Sequence, residues 1–404
     1  MLKFSNGLLS SILLFAFILK APFIVAQQAD SVPQKDVMDI VGRMLGVQPT
    51  TEEELTRVAN KPFHFSVLPG LGYTLQTRVA AAITGNAAFY TTPDKQENLS
   101  TVYAGITYTQ NKQLVTQAIN NIWTRNNRFN FSTDLRYMKY PQSTFGLGGK
   151  NDKILDENPM DFQYLRFYQT ALTKMGKSFY GGIGYYLDYH FNISEAGYPN
   201  GRVSDFTLYS PVTKSFSSGL GLILLADGRD NPINPSKGYY GQILYRDHSK
   251  ALGSDDAWQS LLIDLRKYIP IKGKRQNVLA FWTYNWIVLK GKAPYLALPS
   301  TSWDPFTNTG RGYIQGRFRS TGMLYAESEY RFGITRNGMI GGVVFANVQS
   351  FEQWPNRRFA YVQPAVGGGL RFKINKYTKT NVSIDYGFGA NGSRGLFINM
   401  GELF

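Results

Sequence analysis

The chain has no cysteine in 404 residues and only three histidines, His64, His190 and His248. Without thiols there is no disulfide scaffold, cysteine nucleophile, thiolate zinc site or iron–sulfur cluster, and three histidines leave little for a histidine-rich metal centre. Charge is also sparse: 18% of residues, with 43 Lys+Arg against 28 Asp+Glu. After residue 26 no segment approaches the roughly 20 apolar residues that a helix needs to cross a bilayer. What is abundant is glycine, 40 residues against a usual share of about 7%, together with 26 Tyr and 27 Phe. A hydrophobic content of 43% argues against disorder. This balance is that of an all-β chain.

The amino terminus predicts an export signal. Lys3 precedes an apolar run from Leu8 to Leu19, Lys20 interrupts it, and a second short run ends at Val25-Ala26. Lys20 breaks the stretch that a retained anchor would need, so residues 1–26 read as a signal peptide cleaved near Ala26. Losing Lys3 and Lys20 lowers the formal net charge from +15 to +13. Residues 27–61 read as a periplasmic leader. Val37, Ile40, Val41, Met44 and Leu45 recur there at helical spacing, and Gly46 follows as a stop. A short amphipathic helix is expected.

From Pro62 onward the apolar period becomes two. Strands are predicted at 62–71, 77–90, 98–110, 113–124, 127–139, 157–174, 177–190, 215–227, 237–248, 257–269, 275–289, 321–334, 338–349, 358–374, 378–389 and 394–404. Within 321–334, Leu324, Ala326, Tyr330 and Phe332 oppose Glu327, Glu329 and Arg331; within 378–389, Val382, Ile384, Tyr386 and Phe388 oppose Ser383 and Asp385. The links separate by length: 140–156, 191–214, 249–256, 290–320 and 350–357 follow odd-numbered strands, although the first two links and the last link of that class are short. Those after even-numbered strands are short except 228–236, which its prolines and Asp/Asn residues mark as a structured turn. Long loops on one rim and tight turns on the other, with an even strand number, define a 16-stranded antiparallel transmembrane β-barrel spanning 62–404. Closure is required because an open sheet edge in hydrocarbon leaves backbone groups unpaired. The last strand should send Leu396, Ile398, Met400 and Phe404 outward, with Glu402 out of pattern near the rim.

Six segments then occur in a telling order. They are Asp227-Gly228-Arg229-Asp230-Asn231-Pro232 continuing through Pro235 to Gly238; Gly310-Arg311-Gly312-Tyr313; Glu329-Tyr330-Arg331; Gly367 to Phe372, with Gly369 and Arg371; Asp385 to Gly389, with Gly387; and Gly401 to Phe404. In order and spacing the chain resembles the BamA/TamA outer-membrane assembly superfamily, also called the bacterial surface antigen family, over roughly residues 62–404. The resemblance implies localisation in the bacterial outer membrane and a role in membrane biogenesis, or in the translocation or insertion of protein or lipid. It also implies a weak seam between first and last strands, a C-terminal sorting signal at Phe404, and a sixth outer loop that carries Arg311 inward. Two departures accompany it. Asn347 stands where the family usually has an Asp facing the loop arginine. Residues 27–61 are too few for a periplasmic polypeptide-transport-associated domain, so a barrel-only member is expected, handling clients by the barrel wall itself or with a separate periplasmic or outer-membrane partner.

The loop at 290–320 contains Leu296, Leu298, Trp303, Phe306 and Tyr313, too apolar a set to remain in water. Folding it into the lumen would bring Arg311 to Glu329, which can accept its planar fork, and to Asn347, which can accept one further hydrogen bond. Arg311, Gly312, Tyr313, Glu329 and Asn347 are therefore the expected loop lock. Catalysis is not expected: His190, His248, Asn192 and Ser194 show no obligatory nucleophile spacing. Gly367–Gly369 precedes no helix and so is not a phosphate loop. No cofactor or metal is expected. The basic residues Arg317, Arg319, Arg357, Arg358, Arg371 and Lys373 fit a cationic lumen or lipid phosphates better than nucleic acid, and the aromatics fit interfacial girdles. The alternatives are a passive anion-favouring channel and a surface-exposed binding or structural protein.

Overall fold

Alternation of apolar and polar residues leaves an isolated strand with two faces that need different solvents. This chain satisfies both by closing its strands into a ring. A computed structural model describes residues 35–37, 63–94, 97–150, 157–272, 277–376 and 379–404. The predicted signal peptide and nearly all of the predicted leader helix lie outside these residues.

Sixteen strands form the wall: β1 Phe63–Thr74, β2 Arg78–Phe89, β3 Ser100–Thr109, β4 Leu114–Trp123, β5 Phe129–Lys139, β6 Asn158–Lys174, β7 Phe179–Glu195, β8 Lys214–Asp227, β9 Gly238–His248, β10 Trp258–Ile271, β11 Asn277–Gly291, β12 Gly322–Gly333, β13 Ile340–Gln353, β14 Gln363–Asn375, β15 Thr380–Gly389 and β16 Arg394–Met400. Each pairs antiparallel with its sequence neighbour, and β1 meets β16 to close the barrel. The short extended pieces Gln142–Thr144 and Arg358–Phe359 belong to loops, as does a single helical turn, α1 Asp205–Tyr209. Ser204 caps that turn by accepting from Thr207 N at 3.1 Å.

The two faces separate as the alternation requires. Ile83, Ile106, Ile183, Leu222, Leu224, Val344 and Phe388 are exposed on the outside, whereas Asp188, Asp264, Glu329, Ser383 and Asp385 are buried inside. Apolar outside and polar inside is the arrangement that lipid demands. Several strand ends differ from the sequence expectation. β7 runs to Glu195 and β13 to Gln353, while β14 starts only at Gln363. The expected link 191–214 therefore shortens to 196–213 at the long-loop rim, and the expected link 350–357 shifts to 354–362. The overhang of β7 pairs with β6 as far as Glu195, and the end of β13 pairs with the loop piece Arg358–Phe359.

The interior is filled on one side only. Tyr268, Trp282, Phe318, Tyr325 and Phe351 form one buried layer. Tyr140, Phe162, Phe206, Trp258, Tyr295 and Leu298 form a second, which draws the loops after β5, β7 and β11 together. By contrast, the inward residues Thr84, Asn86, Tyr103 and Gln117 of β2–β4 are only half-buried.

Candidate functional site

The segment between β11 and β12 folds down into the lumen, as its apolar content requires. Its tip turns through glycines in left-handed conformations, Gly310 (φ 77°) and Gly312 (φ 103°), where any L side chain is strained. A Cβ on Gly312 would lie 2.9 Å from Ala365 Cβ, and one on Gly387 would lie 2.7 Å from Gly312 N. The loop tip thus lies directly on the wall of β14 and β15, backbone against backbone.

This close approach delivers Arg311, 1% exposed, to a cluster of carboxylates. Its Nη2 donates to Glu327 and to Glu329, and its Nη1 donates to Asp385 Oδ2 at 2.7 Å. The guanidinium also stacks over Phe345 at 3.6 Å. Gly369 makes room for the third acid, since a Cβ there would fall 1.9 Å from Asp385 Oδ1. Tyr313, fully buried, donates its hydroxyl to Pro364 O at 2.7 Å and accepts from Ala390 N at 2.8 Å. Ser393 Oγ donates to Gly312 O at 2.7 Å.

Asn347 has a different task from the one expected. Its Nδ2 donates to the Arg311 backbone carbonyl at 3.0 Å; it does not accept from the guanidinium. Three carboxylates, Glu327 and Glu329 on β12 and Asp385 on β15, already surround Arg311, so its guanidinium needs no acceptor on β13. The network then continues. Arg371 pairs with Asp385 at 2.5 Å and Glu402 at 2.8 Å, and Arg331 pairs with Glu329 at 2.6 Å. Three arginines and four acids form one ion-paired network, as charges removed from water must, with Arg311 Nε and Arg331 Nη1 left without a hydrogen-bond partner. Sequence reasoning placed Glu327 inward and singled out Asp385 and Arg371, but it did not join them to Arg311. β12 and β15 are not neighbours in the wall, and Arg311 reaches acids on both only from the descending loop.

The carboxyl-terminal residue also departs from expectation. Phe404 does not face outward. Its ring is 3% exposed and lies 5.1 Å from Trp282 inside the lumen. β16 stops at Met400, and Gly401 (φ 92°) turns the chain inward. Glu402 would otherwise place a charge in lipid, and turning in lets it meet Arg371 instead. Asn308 of the descending loop donates to Leu403 O at 2.7 Å, and Arg331 donates to Phe404 O at 3.0 Å.

The segment 228–237 forms a separate structure at the short-turn rim. Arg229 forks onto Asp227 at 2.9 and 2.7 Å and stacks on Tyr240. Asp230 accepts from Ser236 N, Ser236 Oγ and Lys237 N, and Asn231 accepts from Ile233 N and Asn234 N. Pro232 accepts from Arg229 Nη1, Pro235 is buried, and Gly238 (φ 108°) ends the turn. This turn does not approach Arg311. It crosses the barrel mouth instead, with Asn234 Nδ2 donating to Lys379 O at 3.2 Å and Ile233 O accepting from Glu402 N at 3.4 Å. His190 and His248 are buried and stacked on Tyr164 and Trp258.

Fold and site together define a sixteen-stranded transmembrane barrel whose longest loop is pinned inside it by a buried arginine. A scan against protein-family models finds no match, and a search of the curated proteins finds none. Solved structures do match. A BamA from Haemophilus ducreyi lacking POTRA domains 1–3 superposes with a TM-score of 0.56 at 12% identity, over 83% of this chain and 70% of that one. CdiB from Acinetobacter baumannii gives 0.55 at 9% identity, over 84% and 60%. CdiB from Escherichia coli gives 0.54 at 8% identity, over 86% and 68%. At these identities the likeness is one of fold: the barrel is of the BamA and CdiB type.

Proposed function

We propose that this chain works in a bacterial outer membrane, inserting or translocating protein or lipid by opening its wall between β1 and β16. The observation that carries this reading is the seam. β1 and β16 share one paired position, Tyr73 with Ile398, whereas β1 and β2 share twelve and β15 and β16 share seven. Each missing pair removes backbone hydrogen bonds that elsewhere hold the wall together. β16 has only seven residues, and β1 contains Gly70 and Gly72. The pinned loop grips β12 to β15 and leaves β1 to β4 lining the less filled half of the lumen. A hydrated space therefore adjoins the weakest junction. The chain would act without a catalytic centre or cofactor of its own, with lipids as surroundings and a separate protein partner recruited through residues 27–61.

The absence of native cysteine makes the test direct. Tyr73→Cys with Ile398→Cys, oxidised, closes the seam covalently; Ser383→Cys with Asn399→Cys serves as control on a pair that is already joined. In cells relying on the variant, the sealed seam should deplete outer-membrane components, reductant should restore them, and the control should behave as parent. Full function with a verified seam disulfide would overturn lateral opening.

A further inference from the structure

Beneath the arginine network, at the short-turn rim, lies a cavity of about 170 Å³. Arg331, Arg371 and Lys373 line it from β12 and β14, Arg336 and Lys379 line it from the following turns, and Glu402 is the carboxylate among its lining residues. Basic residues on a rim are ordinary, but two further observations point to a ligand. Arg331, 6% exposed, has its Nε and Nη2 engaged by Glu329 and the Phe404 carbonyl, while its Nη1 has no hydrogen-bond partner. A buried guanidinium N–H lacking an acceptor is a standing cost that a bound anion would remove. The second observation is that the chain already places an acid against the turn that follows Lys373. Asp36 of the leader, 4% exposed, accepts from Lys376 N at 3.0 Å, and its charge acts on Lys373.

The other acids nearby are engaged. Glu329, Asp385 and the lining Glu402 hold Arg331 and Arg371, and Asp230 sits 3.9 Å from Lys379. We infer that this cavity is an oxyanion site for a phosphate group, with Asp36 of the leader as its internal competitor. Guanidinium and ammonium side chains line it from two strands and two turns, which suits a multi-oxygen anion better than a single carboxylate. Its volume exceeds the roughly 10–15 Å³ that one water requires. The phosphate could be free or borne by a lipid headgroup.

The test is calorimetric titration of the full folded chain in detergent, at constant ionic strength because such binding is screened by salt. One arm uses inorganic phosphate and the other a short-chain phosphatidic acid. Saturable binding with Kd below about 1 mM is expected in at least one arm, and the arm that binds identifies the source. Lys373→Ala with Lys379→Ala should weaken binding by about tenfold or more, and Asp36→Asn should strengthen it. If the double variant does not fold, the exposed Arg336→Ala replaces it, with weaker binding again expected. Absence of saturable binding in both arms, or parent-like affinity in the cavity variant that folds, overturns the site.

Discussion

At the residue scale the decisive feature is the number of acids around Arg311. A guanidinium facing one carboxylate and an amide would hold the loop loosely. With Glu327, Glu329 and Asp385 all bonded to it and all buried, its removal leaves Glu327 without its ion-pair partner and takes one of two cations from Glu329 and Asp385, which keep Arg331 and Arg371. Breaking a buried pair costs about 3–5 kcal/mol, and that range applies here. Arg311→Ala should still insert, but its 292–321 loop should become sensitive to protease added from outside and its unfolding temperature should fall. Arg311→Lys should recover only part of this, because an ammonium cannot present the planar fork that reaches three acceptors. Equal loop protection in Arg311→Ala and parent would remove the lock. The glycines belong to the same argument: Gly312 and Gly387 let the loop touch the wall, and Gly369 leaves the space that Asp385 fills.

At the element scale the last strand does two jobs in sequence. β16 pairs along β15 through seven positions, and four residues then leave the wall and pack inside it. Phe404 rests on Trp282 and Tyr268, and the Leu403 carbonyl receives Asn308 from the descending loop. The tail is thus a second tie on that loop, made at Asn308 and not at Arg311. Phe404→Ala empties an aromatic site in a packed layer, a change that typically costs about 3–5 kcal/mol. It should lower the temperature at which the folded, fast-migrating form is lost in detergent gels. Met400→Gln, exposed on the outer face of the same strand, should change that temperature much less. If the Phe404 variant matches the parent in both level and heat resistance, neither the tie nor a sorting role for this residue stands.

At the scale of the whole molecule the barrel is asymmetric. Packed aromatics, the descending loop and the tail occupy the side formed by β6 to β15, and the loops after β5, β7 and β11 close over the long-loop end. A wide passive channel needs an unobstructed lumen, and this one is blocked along most of its wall. Single-channel recordings of the parent should therefore show small, irregular openings, and Arg311→Ala should raise conductance by releasing the loop. A large, steady, anion-selective current from the parent would favour the passive channel.

Much of this was legible in the residues taken in order, because the information is local. Period-two alternation, charge placement and loop length specify which face of each strand meets lipid and how many strands there are. A lipid-facing wall has only one way to bury its backbone polar groups, which is to close. The inward position of Glu327, Glu329, Asp385 and Ser383 follows from the same alternation. What the tertiary structure alone decided are meetings between segments that share no register. Arg311 gathers acids from β12 and β15, Asn347 turns its amide to a carbonyl, Phe404 leaves the outer face for the lumen, and the 228–237 turn crosses to Lys379. Each depends on where a long loop or a free tail finds space and counter-charge after the wall has closed. Pairing of that kind is set by three-dimensional distance and desolvation, for which linear spacing carries no signal.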